Sequence, residues 1–545
     1  MYDKLLRLYH TVRPLRFEQV YYRLYYRFLP LKNINGYSYS GSAQIWAWSA
    51  PEVAESSFID EKTVVFLNQK VNIIDKYVWN NPEYEKLWLY NLHYFDDLNA
   101  VDSLSRKDFH YHIIKRWINE NQPLHGNGWE PYPTALRIIN WIKWYARAEC
   151  KDKFIVDSIA LQSEVLSKKL EYHILGNHLF ANAKALVFSG CFLEGMVSKK
   201  YLKLGLDLLD REIPEQFLAD GGHFELSPMY HCILLWDLLD LINLAKLTNA
   251  PELIDRLKSW EMYAVKALSW LNIMTHADGD ISFFNDATLG IAARPDQIKS
   301  YASSMNLFGH KEYVSYQELR DSGYSRVDFP FYNLLFDHGE VGPNYLPGHA
   351  HADTLSFELS VGKSRFFVNS GSSLYGLSKE RQRQRGSAAH NTVVVDNTDS
   401  SEVWGGFRVA RRALITHFKA DVNDNLVVIT AQHDGYRRLK GGGLHSRKIE
   451  AAQEYLCIKD NVSGRFKSAV AIFHTHPSIN ISSVTANSLL LECNDGSSIS
   501  FVSTALIEIE DSTYHSGFGV SIPSKRLVVY LIDGELEVSL VIKKV

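Results

Sequence analysis

Tyr345-Leu346-Pro347-Gly348-His349-Ala350-His351-Ala352-Asp353 opens the stretch that decides the fold, and Ser387-Ala388-Ala389-His390-Asn391-Thr392-Val393-Val394-Val395-Asp396 closes it. Between them, Leu355 to Val361 alternates apolar and polar residues. A Gly362-Lys363-Ser364 turn follows, then a second extended run, Arg365 to Asn369. The period of two predicts a β-hairpin. His349 and His351 are two apart on an extended chain and so face one side, and Asn369 returns to the same end of the hairpin. His390, just ahead of Thr392 to Val395, could close the cluster from a third strand. Two histidines and a carboxamide at strand ends suit a metal or a catalytic base; polar loop residues satisfied by water are the alternative.

Upstream the period is helical. Phe109 to Ile118, Ala135 to Trp144, Ile155 to Leu170, Leu179 to Phe188, Lys200 to Phe217, Ile233 to Leu247 and Glu252 to Trp270 each place apolar residues three and four apart. Breakers such as Gly126-Asn127-Gly128 and Asp220-Gly221-Gly222 separate them. Long helices without intervening strands predict an all-α domain of repeated hairpins. From about Ser322 short β-branched runs take over, including Phe331 to Phe336, Leu426 to Thr430, Ser468 to Phe473 and Arg526 to Leu531, with Gly, Asn and Asp turns between. These predict an antiparallel β domain of two stacked sheets. The expected division is an N-terminal extension at 1–60, a helical domain at 61–320 and a β domain at 321–545, with a site at the junction of the last two.

The 545 residues are too many for one core. A net charge of −4 gives no basic field, so nucleic acid is not an expected partner. Aromatic residues make up 13% of the chain, with 30 Tyr and 12 Trp, and sugar rings stack on aromatic surfaces. Five widely spaced cysteines without a Cys-x-x-Cys exclude a disulfide framework and a thiolate zinc site. The first residues show no apolar signal-peptide core, and no run of about 18 apolar residues occurs, so the expected location is cytoplasmic and no transmembrane segment is expected. The Tyr- and Arg-rich segment Phe17 to Leu29 reads as a first helix docked on the body of the protein, with peripheral membrane contact as the alternative.

Three patches interrupt the helical pattern. Gly176-Asn177-His178 opens a helix, where Asn177 also suits an N-cap. Asp220 to His231 is dense in proton-transferring groups, Tyr230 among them. Gly128-Trp129-Glu130-Pro131 leads into a helix that carries Arg137 and Trp141 four apart, hence on one face. A cation and an indole so placed suit an acidic sugar, with Trp129 ahead of them; core packing is the alternative.

Taken in order, Gly176-Asn177-His178, Tyr230-His231, Gly348-His349-Ala350-His351-Ala352-Asp353, Gly371-Ser372-Ser373-Leu374-Tyr375-Gly376, and Arg385 with His390-Asn391-Thr392-Val393-Val394-Val395-Asp396 resemble the heparinase II/III family of polysaccharide lyases over roughly residues 80 to 450. The resemblance implies an incomplete (α/α) toroid followed by a two-layer antiparallel β-sandwich. It implies β-elimination at a uronic acid of an acidic polysaccharide, with Asn177 and His178 on the substrate carboxylate. Tyr230 is then acid, base or both, His349 the partnering base, and Tyr375 a further tyrosine used by some members. Arg385, in the motif set, and Arg408, in a loop near the sandwich rim, are candidate contacts for the anionic substrate. In members that hold zinc, the ligands fall at His351, His390 and an aspartate that here is Asn369. A carboxamide brings no charge to a zinc ion, so a zinc cofactor at His351, Asn369 and His390 is left open; no organic cofactor is expected. A uronyl C5-epimerase of the same fold, or a non-catalytic glycan-binding or assembly protein, are the alternatives.

Overall fold

The computed structural model describes residues 2–543 apart from 35, 311–313 and 424. Two helices open the chain, α1 (Tyr2–Val12) and α2 (Phe17–Phe28), with Pro14 between them and Pro30 beyond. A small antiparallel sheet of Phe58–Asp60, Thr63–Phe66 and Gln69–Asn72 follows, which the sequence reading did not anticipate.

The main helices are Lys86–Tyr94, Lys107–Glu120, Pro131–Arg147, Lys153–Lys168, Gly176–Phe192, Met196–Gln216, Pro228–Thr248, Pro251–Ile273 and Pro295–Ser304. Four start on proline at the first helical position, where a missing N–H costs nothing and φ is already set. Gly176–Phe192 is buried along nearly its whole length and pairs with Met196–Gln216. Gly205 allows that pair to close, since a Cβ there would meet Ala183 O at 2.7 Å and Val187 at 2.8 Å.

The strands of the β half begin at Tyr316, slightly before the expected boundary at 321. Tyr316–Leu319, Tyr324–Asp328, Tyr332–Asp337, Phe357–Val361 and Ser364–Phe367 form a five-stranded antiparallel meander. The last two are the predicted hairpin, with Val361 opposite Ser364. The strand expected from Leu355 begins instead at Phe357. Its polar face is not solvated: Glu358 and Ser360 are both 2.8 Å from His276 in the helical half, and Arg365 pairs with Asp278.

Val393–Val395 does not join the hairpin. It edges a four-stranded sheet with Ala469–His474, Ile522–Tyr530 and Ile507–Tyr514. An eight-stranded antiparallel sheet spans Ile415–Asn423 to Glu535–Lys543, and strands such as Leu426–His433 alternate buried and half-buried residues. All three sheets share one apolar core, with Val427, Ile429 and Leu540 meeting Phe357, Phe473 and Leu527. Arg447 pins this core to the functional loops. It pairs with Asp460 and donates to Leu355 O at 2.7 Å and Asn391 O at 2.6 Å. None of the described helices is long and apolar enough to cross a membrane.

Candidate active site

The helical and β halves face each other across a cleft of about 1620 Å³. Its walls carry Asn177, His178, Glu225 and Tyr230 from the helical side and His349, Tyr375 and Arg408 from the other.

Helix starts aim the helical residues. Leu175 and Gly176 both take positive φ, 71° and 58°, which turns the chain sharply into the helix Gly176–Phe192. A side chain at 176 would strike Leu346 at 2.4 Å, so glycine is required. Asn177 therefore sits in the first turn and is not the N-cap, which is Leu175. Its carboxamide makes no hydrogen bond among the described residues, and it is only 6% exposed. His178 donates to Glu171 at 3.0 Å. Burial works against charge on His178, but Glu171 outweighs it and holds the pKa above the ordinary value. Ser227 caps the next helix by accepting the Tyr230 N–H at 3.3 Å, which fixes Tyr230 at the cleft wall.

The Tyr230 ring stacks on the His349 imidazole with centroids 3.9 Å apart, and its hydroxyl lies 3.0 Å from that of Tyr375. Burial holds both phenols well above their usual pKa, with the neighbouring tyrosine adding to the effect on Tyr230. Both are therefore protonated near neutrality.

His349 is held by Asp286, a residue the sequence reading missed. The segment before it is knitted to the histidine loop: Asp286 N–H donates to His349 O at 3.0 Å, His351 N–H to Asn285 Oδ1 at 2.9 Å, and Asn285 N–H to Asp353 Oδ2 at 3.0 Å. The Asp286 carboxylate receives His349 Nδ1 at 2.9 Å, His351 Nε2 at 2.7 Å, Ser372 Oγ at 3.1 Å and both terminal nitrogens of Arg381. Burial alone would raise its pKa; Arg381 and the two histidines instead take it well below the carboxylate range. The Asp286 carboxylate accepts from His349 Nδ1, so in the neutral imidazole the lone pair lies on Nε2. Glu225 Oε2 lies 3.6 Å from that nitrogen and has no hydrogen-bond partner; burial pushes the Glu225 pKa up and favours its neutral form.

Four expected substrate contacts are elsewhere. Trp129 and Trp141 are buried in the helical core, 3% and 0% exposed. Arg137 is 0% exposed, lies 3.8 Å over the Trp117 ring and donates to Gln162 and to His93 O. Exposing one such tryptophan would cost about 4–6 kcal/mol of lost burial, more than the ~1 kcal/mol that ring stacking returns. Arg385 is also fully buried and donates to Ala350 O at 2.8 Å, which shapes the histidine loop from behind. Arg408 alone of the five reaches the cleft; it is exposed, with its guanidinium 4.8 Å over Trp404.

The expected metal set is brought together only in part. His351 Nδ1 faces His390 Nε2 at 3.2 Å, and the other His351 nitrogen is taken by Asp286. Asn369 Oδ1 accepts the Asn391 N–H at 3.3 Å, while Asn369 Nδ2 and His390 Nδ1 have no partner. The 3.2 Å between the two imidazole nitrogens is about the separation of two ligands on a tetrahedral zinc, and a carboxylate on the far nitrogen is the usual partner of a metal-bound histidine; what weakens the set for zinc is Asn369, whose amide oxygen brings no charge. Among the described residues no group of three His, Cys, Asp or Glu could hold a metal ion, so zinc here would depend on the Asn369 oxygen.

The family model described as heparinase II/III N-terminus matches residues 80–316, and the one described as heparinase II/III-like, C-terminal, matches residues 315–536. A heparin-sulfate lyase of Bacteroides stercoris is 22% identical over 333 residues, covering 56% of this chain and 46% of that protein. A heparin-sulfate lyase of Pedobacter heparinus is 24% identical over 317 residues, covering 54% and 45%. The chain thus spans about half the length of the curated relatives it matches. The crystal structure of a heparinase III superposes with a TM-score of 0.70 at 16% identity, over 84% of this chain and 78% of that one, a likeness of fold. The two family matches meet end to end along a chain with that fold, and the protein belongs to the heparinase II/III family.

Proposed function

We propose that the protein is a polysaccharide lyase that cleaves a uronic-acid-containing polysaccharide by β-elimination, built as an incomplete (α/α) toroid followed by a two-layer antiparallel β-sandwich. One observation carries the reading: the stacked Tyr230–His349 pair, with His349 oriented by Asp286, shares a cleft with the unbonded carboxamide of Asn177. The names of the relatives make a glycosaminoglycan the first substrate to try.

Elimination requires the C5 proton to become acidic, and it does so only if the charge building on the adjacent carboxylate is offset. Asn177 donates its free N–H groups to that carboxylate, and His178, charged through Glu171, adds a positive neighbour. Glu225, favoured in its neutral form, puts no competing anion there. His349 Nε2 takes the C5 proton; the electron pair forms the C4–C5 double bond, the C4–O bond breaks, and Tyr230 gives its hydroxyl proton to the departing oxygen. Tyr375 then stabilises the tyrosinate by donating across their 3.0 Å contact. Arg408 on the rim attracts the polyanion.

Incubation with a panel of uronate polysaccharides, heparan sulfate included, is expected to raise near-UV absorbance from 4,5-unsaturated ends. Deuterium entering C5 from heavy water without chain shortening would assign an epimerase instead, and binding with neither would leave a glycan-binding protein.

We infer that the His351–His390 pair acts as a metal-free brace behind the base. Dialysis against EDTA is expected to leave activity and melting temperature unchanged. A loss that zinc restores would reverse this.

A further inference from the structure

Helix α2 is mounted backwards. A surface helix ordinarily turns its apolar stripe to the protein and its polar face to water. Here the docking face is polar: Gln19 donates to Ile174 O and Tyr345 O, Arg16 pairs with Glu215, Tyr26 donates its hydroxyl to Leu170 O, and the Tyr22 ring stacks on Tyr172 at 4.5 Å. The outer face reads Phe17, Val20, Tyr21, Leu24, Tyr25 and Phe28, at spacings of three and one, and every one of them is exposed. Phe17 is 82% and Phe28 72% exposed. Phe17, Tyr21 and Tyr25 form a ladder with rings 6.0 Å apart.

Exposed apolar surface on this scale marks an interaction site. Charge identifies the occupant. Residues 2–29 carry six basic and two acidic side chains, in a chain whose net charge is −4. Arg23 and Arg27, four apart, run along one edge of the stripe, Arg13 lies in the turn before it, and none of the three forms an ion pair among the described residues. A second copy of the chain would bring two such arginine rims together. Valine, leucine and phenylalanine offer no hydrogen bonds to a sugar. An aromatic and aliphatic stripe edged by Arg23 and Arg27 fits the headgroup boundary of an anionic bilayer.

We propose that α2 seats the protein on an anionic lipid surface and holds the cleft mouth beside it. The link to the cleft is direct: Leu8, Val12 and Leu15, from α1 and the turn after it, line the same cavity as Tyr230 and His349. Thr11 accepts the Trp404 indole N–H at 3.1 Å, which ties α1 to the β half at the cleft rim. The inference does not depend on the lyase reading; it rests on the mounting of α2.

The test is flotation of the full chain with phosphatidylcholine vesicles, with and without phosphatidylglycerol. Binding is expected only to the anionic vesicles, weakening by at least about tenfold as salt rises through the range that screens exposed charges. Phe17→Asp with Leu24→Asp is expected to abolish it with little change in melting temperature, since Phe17 is 82% and Leu24 51% exposed. Arg13→Glu with Arg27→Glu is expected to do the same through charge. Absence of wild-type binding at low salt, or equal binding by both variants, would overturn the proposal. So would a wild-type dimer that the aspartate pair dissolves, or retention on an acidic polysaccharide that it abolishes, if either occurs without vesicle binding.

Discussion

Tyr230→Phe is expected to lower kcat/KM by about 10²- to 10⁴-fold, the range general acid catalysis supplies. The substitution deletes one oxygen and keeps the ring, so the 3.9 Å stack that positions His349 survives. What disappears is the proton for the departing sugar oxygen and the partner of the Tyr375 hydroxyl. The loss is therefore expected in kcat, with KM nearly unchanged, measured as the initial rate of unsaturated-end formation. Tyr375→Phe, which removes only the secondary donor, is expected to cost less. Full activity in Tyr230→Phe would remove this residue from the chemistry and leave His349 to act alone.

The division of the chain into helices and then strands was legible because periodicity is a local signal. Prolines at 131, 228, 251 and 295 mark helix starts in the sequence and occupy them in the fold. Asn177 and Tyr230 were singled out by the family motifs, and the fold places both in first turns of helices, beside Gly176 and Ser227. Asp286 was not legible. It follows two phenylalanines in a segment without period, and its partners lie 63 to 95 residues away. Arg137 and Trp141 show a different limit. Spacing of four says that two side chains share a face, never which way the face points; the helix Pro131–Arg147 is buried on most sides, and its cation went to the core. Helix α2 inverts the same ambiguity, with the apolar face turned outward. The misplacing of Arg137 and Trp141 comes from reading a periodic pattern as if it carried a direction.

Asp286→Asn is expected to damage both stability and activity, and the two losses can be pulled apart. An asparagine offers one acceptor oxygen where the carboxylate serves five donor contacts, and turns an N–H₂ toward nitrogens that are themselves donors. Arg381, fully buried, is left without its counter-charge. Breaking a buried pair in this way typically costs about 3–5 kcal/mol, because the remaining ion has no water. His349 loses the acceptor that fixes its Nδ1 proton, so its lone pair no longer points reliably at the substrate. By analogy with other carboxylate-oriented imidazoles, this is expected to lower kcat by about 10³- to 10⁴-fold. Adding Arg381→Met removes the stranded cation while filling much of its volume. The double variant is expected to recover most of the denaturation midpoint and none of the activity, since the base remains unoriented. If activity returns along with stability, Asp286 serves only to hold the loop. If neither returns, the cost lies in the Asp286 bonds to His351 and Ser372, and the brace behind the base matters more to the fold than the ion pair does.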